Sequence, residues 1–237
     1  MANVLFYVPT PPPIGGIDSY TKLMLHMDDT GLTDSSFSDH TPTLNGDVVR
    51  SASQSKFEGY SGYFDGDTDY ISFANHSDFD FGSGDFTIDT WIYPLSIAAG
   101  GNILLTKNNV VGWRPFELMI EVQGAGIKFK AFASDGSDWD INLSSSELTL
   151  NQWYHVAFVR SGSDFYLFIN GTQEDTGSWA GSLMVTSVPI YVGGHLYYST
   201  GVFNIDWFDG YIDELRVSKG IARWTSNFTP ETGPYTT

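Results

Sequence analysis

Glu117 and Glu121 are the carboxylates whose spacing first suggests acid–base work, because a glycosidic bond is cleaved between two such groups. Residues four apart on one face of a strand stand roughly 13 Å apart at about 3.3 Å rise per residue. A retaining pair needs about 5 to 5.5 Å and an inverting pair at most about 9.5 Å, so this pair fails on distance. Asp138 and Asp140 have a workable spacing, but their Gly/Ser-rich surroundings predict two solvated turn aspartates. There is no Gly-x-Ser-x-Gly nucleophile elbow and no His-Glu-x-x-His helix. The five histidines (His26, His40, His76, His155 and His195) show no ligand spacing, and cysteine is absent. No catalytic residue is expected, and a non-enzyme is the reading. Asp65-x-Asp67-x-Asp69 copies the first half of a calcium-binding helix–loop–helix loop. Tyr70 stands at the sixth position and His76 at the twelfth, so a hairpin turn is expected instead.

Aromatic residues offer a second chemistry. Seven Trp and thirteen Tyr exceed what the core strands need. Trp113, Trp139, Trp179 and Trp207, with Tyr197 and Tyr198, fall in Gly/Ser/Asp-rich stretches. An aromatic face can stack on the C–H face of a sugar while nearby Asp and Asn accept its hydroxyls, and loops on a rigid scaffold are the usual place for such sites. These six are the candidate ligand-binding residues. The competing role is closing the ends of the fold.

The elements that would carry them alternate with period two. Leu23, Leu25 and Met27 alternate with Lys22, Met24 and His26. Phe86, Ile88, Thr90 and Ile92 alternate with Thr87, Asp89, Trp91 and Tyr93. Similar runs cover 116–121, 127–131, 153–160, 164–170, 189–192 and 210–217, with Ser161-Gly162-Ser163 and Asn170-Gly171 as turns between them. Trp91 and Trp153, inside such runs, are expected in the core. About a dozen short strands punctuated by Gly and Asp predict an all-β, two-sheet antiparallel sandwich, with one short helical turn at 221–224 near the C-terminus. Residues 1–18, with Pro9, Pro11, Pro12, Pro13, Gly15 and Gly16, read as an arm ahead of a single domain at 19–237.

Several stretches together carry a family resemblance. They are Leu23-Met24-Leu25-His26-Met27-Asp28, Tyr63-Phe64-Asp65-Gly66, Phe79-Asp80-Phe81-Gly82-Ser83-Gly84-Asp85-Phe86-Thr87-Ile88 and Asn151-Gln152-Trp153-Tyr154-His155-Val156-Ala157. Gly210-Tyr211-Ile212-Asp213-Glu214-Leu215-Arg216-Val217 and Asn227-Phe228-Thr229-Pro230 complete the set. The chain resembles the laminin-G-like domains of the concanavalin A-like lectin/glucanase superfamily, in the form found in phage and bacterial surface proteins, over roughly residues 20–232. The resemblance implies a jelly-roll sandwich. Its glucanase members carry a Glu-x-Asp-x-x-Glu strand, which does not occur here. It also implies one structural Ca²⁺, held by Asp213 with Asp28 and the carbonyl of Gly59 as weaker candidates.

Composition limits the partners. Lys+Arg number 11 against 28 Asp+Glu, a net charge of −17. Such a surface repels phosphate, so neither nucleic-acid binding nor docking on anionic lipid is expected. No run approaches the length of a membrane span, and the N-terminus lacks the pattern of a secretory signal. The acids divide into 21 Asp and seven Glu, which favours turns over helices. The expectation is a non-enzymatic virion-surface protein (capsid decoration, tail or fibre) with an adhesive, carbohydrate-binding domain. Its partners would be a cell-surface or extracellular glycan and, through the N-terminal arm, other virion proteins; a homo-oligomer is left open. The alternatives are a free-standing lectin-like module, extracellular or at the cell surface, and a glycoside hydrolase.

Overall fold

The computed structural model describes residues 16–97, 101–108, 114–124, 126–199, 202–205 and 207–237, with the backbone alone for 196–199 and 202–205. In chain order the strands are β1 (Thr21–Leu25), β2 (Pro42–Asn45), β3 (Val49–Ser51), β4 (Ser61–Asp65), β5 (Tyr70–Phe73), β6 (Phe86–Ser96), β7 (Asn102–Lys107), β8 (Phe116–Gln123) and β9 (Gly126–Ala133). They continue with β10 (Ile141–Ser144), β11 (Tyr154–Ser161), β12 (Asp164–Ile169), β13 (Thr172–Ser178), β14 (Ile190–Val192), β15 (Leu196–Ser199), β16 (Val202–Ile205) and β17 (Asp209–Lys219). One sheet runs β13-β12-β11-β6-β17-β4-β3 with β1 also on β17; the other runs β10-β9-β8-β7-β14-β5-β2. Every strand pair is antiparallel, and β15 and β16 form a separate hairpin. The result is the two-sheet sandwich that period two requires. No helix among the described residues is long and apolar enough to cross a membrane.

Alternation sorts the side chains. On β6, Phe86, Ile88 and Ile92 face the second sheet, and on β11 Tyr154, Val156 and Phe158 do the same. The core they join is lined by Phe64, Phe73, Phe116, Phe129 and Phe165, all fully buried, and each contributes about 1.5 to 3 kcal/mol by leaving water. The Asn170-Gly171 turn between β12 and β13 has both residues at positive φ (50° and 77°), the geometry that a two-residue hairpin needs.

The odd-numbered residues of β6 and β11 point away from that core, yet Asp89, His155, Ala157 and Val159 are also buried. Chain after β17 lies over them. Ala157, Val159 and Phe168 pack on Trp224, whose ring stacks on Phe228 at 3.9 Å, while Tyr235 joins Ile17 and Met24 in a smaller cluster. The middle of the large sheet is therefore covered on both faces, at β11 and β12 by Trp224 and Phe228.

Four expectations are corrected. Residues 221–224 form no helical turn. The Arg223 amide donates to Thr87 Oγ1 (2.9 Å) and its guanidinium reaches Ser218 and Asp18, so tertiary bonds hold the segment open. Among the described residues the single helical turn is a 3-10 turn at Ser77–Phe79. Asp65–Asp69 is not a hairpin turn, because β4 and β5 lie in different sheets; Asp69 ties this corner by accepting the Asp65 amide (3.0 Å) and the Asp47 amide (2.5 Å). Trp153 precedes β11 and is half-buried, outside the main core. Gly16 to Asp18, placed with the arm by composition, pack on the domain: Ile17 is buried and its amide donates to the Thr236 carbonyl (2.8 Å). The rest of the arm, 1–15, lies outside the described residues.

Candidate functional site

Trp91 projects from the outer face of β6, with Asp213 of β17 and His155 of β11 as its register partners. The covering chain stops short of it. Phe57 meets its ring edge-on at 5.9 Å, His155 at 5.3 Å, and the Lys56 ammonium sits 3.8 Å from the ring centroid. Lys56, Phe57 and Trp91, with Trp153, Asn170, Pro230, Glu231 and Thr232, line a cleft of about 540 Å³, a usual size for a small-molecule site. Trp153 packs on Tyr93 at 5.5 Å and is half-buried. Trp91 Nε1 and His155 Nδ1 are buried without a hydrogen-bond partner among the described residues, which is costly unless a ligand or water meets them. Burial lowers the Lys56 pKa, and the Asp213 carboxylate opposes it.

A β-bulge builds the floor beside the cleft. The register of β17 on β6 shifts between Asp213 and Arg216, where Glu214 has φ 50°. Residues three apart on a regular strand point to opposite faces; the extra residue brings Asp213 and Arg216 to the same one. Arg216 then meets Asp89. Asp213 Oδ2 accepts the amides of Lys56 (2.8 Å) and Phe57 (3.2 Å). Burial pushes the Asp213 pKa up to about 7 despite those donors.

Next to Asp213, Glu214 meets the segment that carries Asp28, one of the residues that the resemblance tied to calcium. His26 Nδ1 lies 2.7 Å from Glu214 Oε1, and it interacts electrostatically with Asp28 and Glu58. Burial opposes protonation of His26, but the Glu214 carboxylate outweighs it and raises the pKa. Gly59 turns at φ 85° between Phe57 and Tyr60, and the Asp28 carbonyl accepts from Arg50 at 2.7 Å. A buried carboxylate whose nearest cation is the Lys56 ammonium is the kind of group a metal ion could also neutralise. The groups bonded to Asp213 Oδ2, however, are N–H donors.

The other sequence candidates are scattered. Trp207 is 3% exposed and stacks on Tyr70 at 5.6 Å, so its ring is committed inside the fold. Trp139 packs on Phe132 at 4.8 Å with the Arg114 guanidinium 5.9 Å from its ring. Trp179 lies near Phe165 (6.4 Å) and Arg160 (5.8 Å), at the opposite end of β12 from Asn170. Trp113 lies outside the described residues; Tyr197 and Tyr198 are on β15, where only the backbone is described. Of the three whose side chains are described, Trp139, Trp179 and Trp207, none lines the cleft. Trp91 and Trp153 were missed because period two placed them inside strands, and alternation cannot tell a covered outer face from an open one. Glu117 is buried against Arg114 and Thr106, Glu121 pairs with Lys130 (3.1 Å), and Asp138 and Asp140 bond backbone amides of their own turn.

The layers, the topology and an outer-face cleft define a concanavalin A-like sandwich. The chain belongs to the concanavalin A-like lectin/glucanases superfamily, whose laminin-G family model matches residues 65–223. No curated protein sequence matches it. Solved structures with the same fold include the binding domain of Paraclostridial mosquitocidal protein 1 (15% identity, TM-score 0.64, covering 86% of this chain and 50% of that one). Domain 4 of AbnA, an extracellular arabinanase from Geobacillus stearothermophilus solved with arabinotriose, is 16% identical (TM-score 0.61, covering 85% and 93%). Botulinum neurotoxin type C, whose cell entry depends on two ganglioside molecules, is 15% identical (TM-score 0.63, covering 87% and 50%). The chain thus spans about half the length of the toxin chains it matches. At these identities the likeness concerns the fold.

Proposed function

We propose that the chain is a non-catalytic carbohydrate-binding module whose site is the cleft at Lys56, Trp91 and Trp153. The observation that carries this is the half-open Trp153 ring set in one cleft with Trp91, Lys56, Asn170 and Glu231. A sugar hydroxyl can accept from Lys56 and donate to Glu231, while the Trp153 face takes the C–H surface. A fold relative solved with arabinotriose and a toxin whose cell entry depends on gangliosides support the class, and the absence of the Glu-x-Asp-x-x-Glu strand supports a binding role over hydrolysis. Screening a glycan array should give hits that Trp153→Ala removes. The affinity for the best hit should fall roughly 30-fold, the effect of losing an aromatic anchor worth about 2 kcal/mol. Hits lost in Trp139→Ala or Trp179→Ala but kept in Trp153→Ala would move the site to the loops, and an array without hits rejects the reading.

Display on a virion surface, with the N-terminal arm meeting other virion proteins, is the setting we propose. Labelling the protein in its native particle tests it. Calcium is proposed as a structural ion at Asp213, with Asp28 and the Gly59 carbonyl contributing oxygens. Its role would be to neutralise the buried carboxylate and tie 26–28 and 56–60 to β17. A ligand at 100 times its Kd adds about 2.7 kcal/mol to a fold. Stripping with EGTA should therefore lower the melting temperature by roughly 5 to 10 °C, and Ca²⁺ rather than Zn²⁺ should restore it. An unchanged melt assigns the Asp213 charge to Lys56 and the two amides alone.

A further inference from the structure

His40, His76 and Asp78 stand at a second place, where no part of the proposed glycan cleft reaches. One ligating atom from each lies within 4.8 Å of the others, the one cluster of three such side chains among the described residues. His40 Nε2 is 3.1 Å and His76 Nδ1 3.2 Å from the same oxygen, Asp78 Oδ2. The two imidazole rings meet at 4.8 Å and 63°.

The ligands are held from both sides. Asp34 anchors the loop that carries His40: its carboxylate accepts the amides of Met24 (2.9 Å), Ser36 (2.8 Å) and His40 (2.8 Å). The His40 ring is seated on Phe79 at 4.8 Å, and Ser38 Oγ donates to Asp78 Oδ2 at 2.8 Å. His76 caps the 3-10 turn that carries Asp78. Thus a loop between β1 and β2 and the connection between β5 and β6 present one polar face to each other. Sequence spacing hides the cluster, because 36 positions separate the two histidines and the ligands converge only when the sheets pack.

We propose that His40, His76 and Asp78 form a binding site for a divalent transition-metal ion of the Zn²⁺ class. Two imidazoles and one carboxylate are the donor set that such ions prefer, whereas Ca²⁺ takes six to eight oxygens. An ion with Zn–N of about 2.0 to 2.1 Å and tetrahedral angles places its ligand atoms roughly 3.3 Å apart; the two His–Asp78 separations, 3.1 and 3.2 Å, are close to this, and the two imidazole nitrogens lie within 4.8 Å of each other. Binding requires one adjustment. His76 Nδ1 now accepts the Asp78 amide at 3.2 Å, so the ring gives up that bond or turns to offer Nε2. Its side chain is 51% exposed and free to do so. Three protein ligands leave the fourth position for water or for a group on another molecule. The ion would clamp the loop that follows β1 to the segment that leads into β6.

Titration of the full, untagged chain with ZnCl2 tests this, with CaCl2 as the contrast and Co²⁺ absorption as a spectroscopic reporter of geometry. We expect one Zn²⁺ per chain, a visible Co²⁺ band, and no heat at this site from Ca²⁺. His76→Ala changes an exposed side chain and should keep the native melt while weakening Zn²⁺ at least 10-fold and abolishing the Co²⁺ band. Asp78→Asn should act in the same direction. No Zn²⁺ binding, or Zn²⁺ binding and Co²⁺ absorption unchanged in both variants, overturns the assignment. The result is independent of the glycan array, so either proposal can fail alone.

Discussion

Replacing Asp89 with Ala is expected to destabilise the domain by about 3 to 5 kcal/mol, the cost of leaving a buried partner charge unpaired. Asp89 is 0% exposed. Arg216 approaches it with Nε at 3.0 Å and a terminal nitrogen at 3.2 Å, and the Tyr235 hydroxyl donates at 2.6 Å. The guanidinium lies 3.9 Å from the Tyr235 ring and also donates to the Gly16 carbonyl at 3.1 Å, so one ion pair gathers β6, β17 and both ends of the described chain. For a domain of this size the melting temperature should fall by roughly 6 to 20 °C. The paired change Asp89→Leu with Arg216→Met should recover much of the loss, because an apolar filling of similar volume has no charge to strand. A single variant that melts within 1 kcal/mol of the parent would show that water reaches Arg216 and that the cover is loose.

The same pair sets an acid limit. Burial alone would raise the Asp89 pKa, but the Arg216 charge outweighs it and holds the carboxyl well below the usual range. A group depressed in the folded state adds stability above its unfolded pKa of about 3.9. That contribution is lost progressively as pH falls below this value toward the folded one. Melting curves between about pH 5 and pH 2 should show a loss in the parent that the Leu/Met pair lacks.

Gly171→Ala is expected to cost about 2 to 5 kcal/mol and to weaken glycan binding as well. Gly171 has φ 77°, where a side chain costs about 1 to 2 kcal/mol. An added Cβ would lie 2.0 Å from the Phe228 carbonyl oxygen, a backbone atom that cannot rotate away. Phe228 also donates its amide to the Gly171 carbonyl at 2.9 Å, so the turn clasps the covering chain directly. Relief of the clash lifts Phe228 from Trp224 and Phe168 and shifts Pro230 to Thr232, which wall the cleft. Denaturant unfolding and titration with the array hit measure both effects. Loss of stability with unchanged affinity would separate the turn from the site. Gly162→Ala is the control, since that turn has the same left-handed φ (62°) and nothing within 4 Å of an added Cβ.

The strands were legible because side chains on a pleated sheet alternate and Asn-Gly turns have one good geometry. Trp91 illustrates what was not. Its neighbours in sequence read as a buried strand, which is correct, but whether its outer face meets chain, ligand or water depends on residues 224–235, more than 130 positions away. Arg223 and Trp224 read as a helical turn until Asp18, Ser218 and Phe228 supply stronger partners. The bulge at Glu214 was equally hidden, since local pattern does not reveal an added residue whose purpose is to turn Asp213 and Arg216 to one side.

Gly16 bridges Thr236 in parallel, and the Ile17 amide bonds the Thr236 carbonyl, so the two ends of the folded unit lie side by side. A body with adjacent ends can be spliced into a surface loop of a host protein without prying that loop apart. Circular permutation is the expected corollary. A short Gly/Ser linker joining 236 to 16, with new ends opened at the Gly162 turn, should leave the register of every sheet intact.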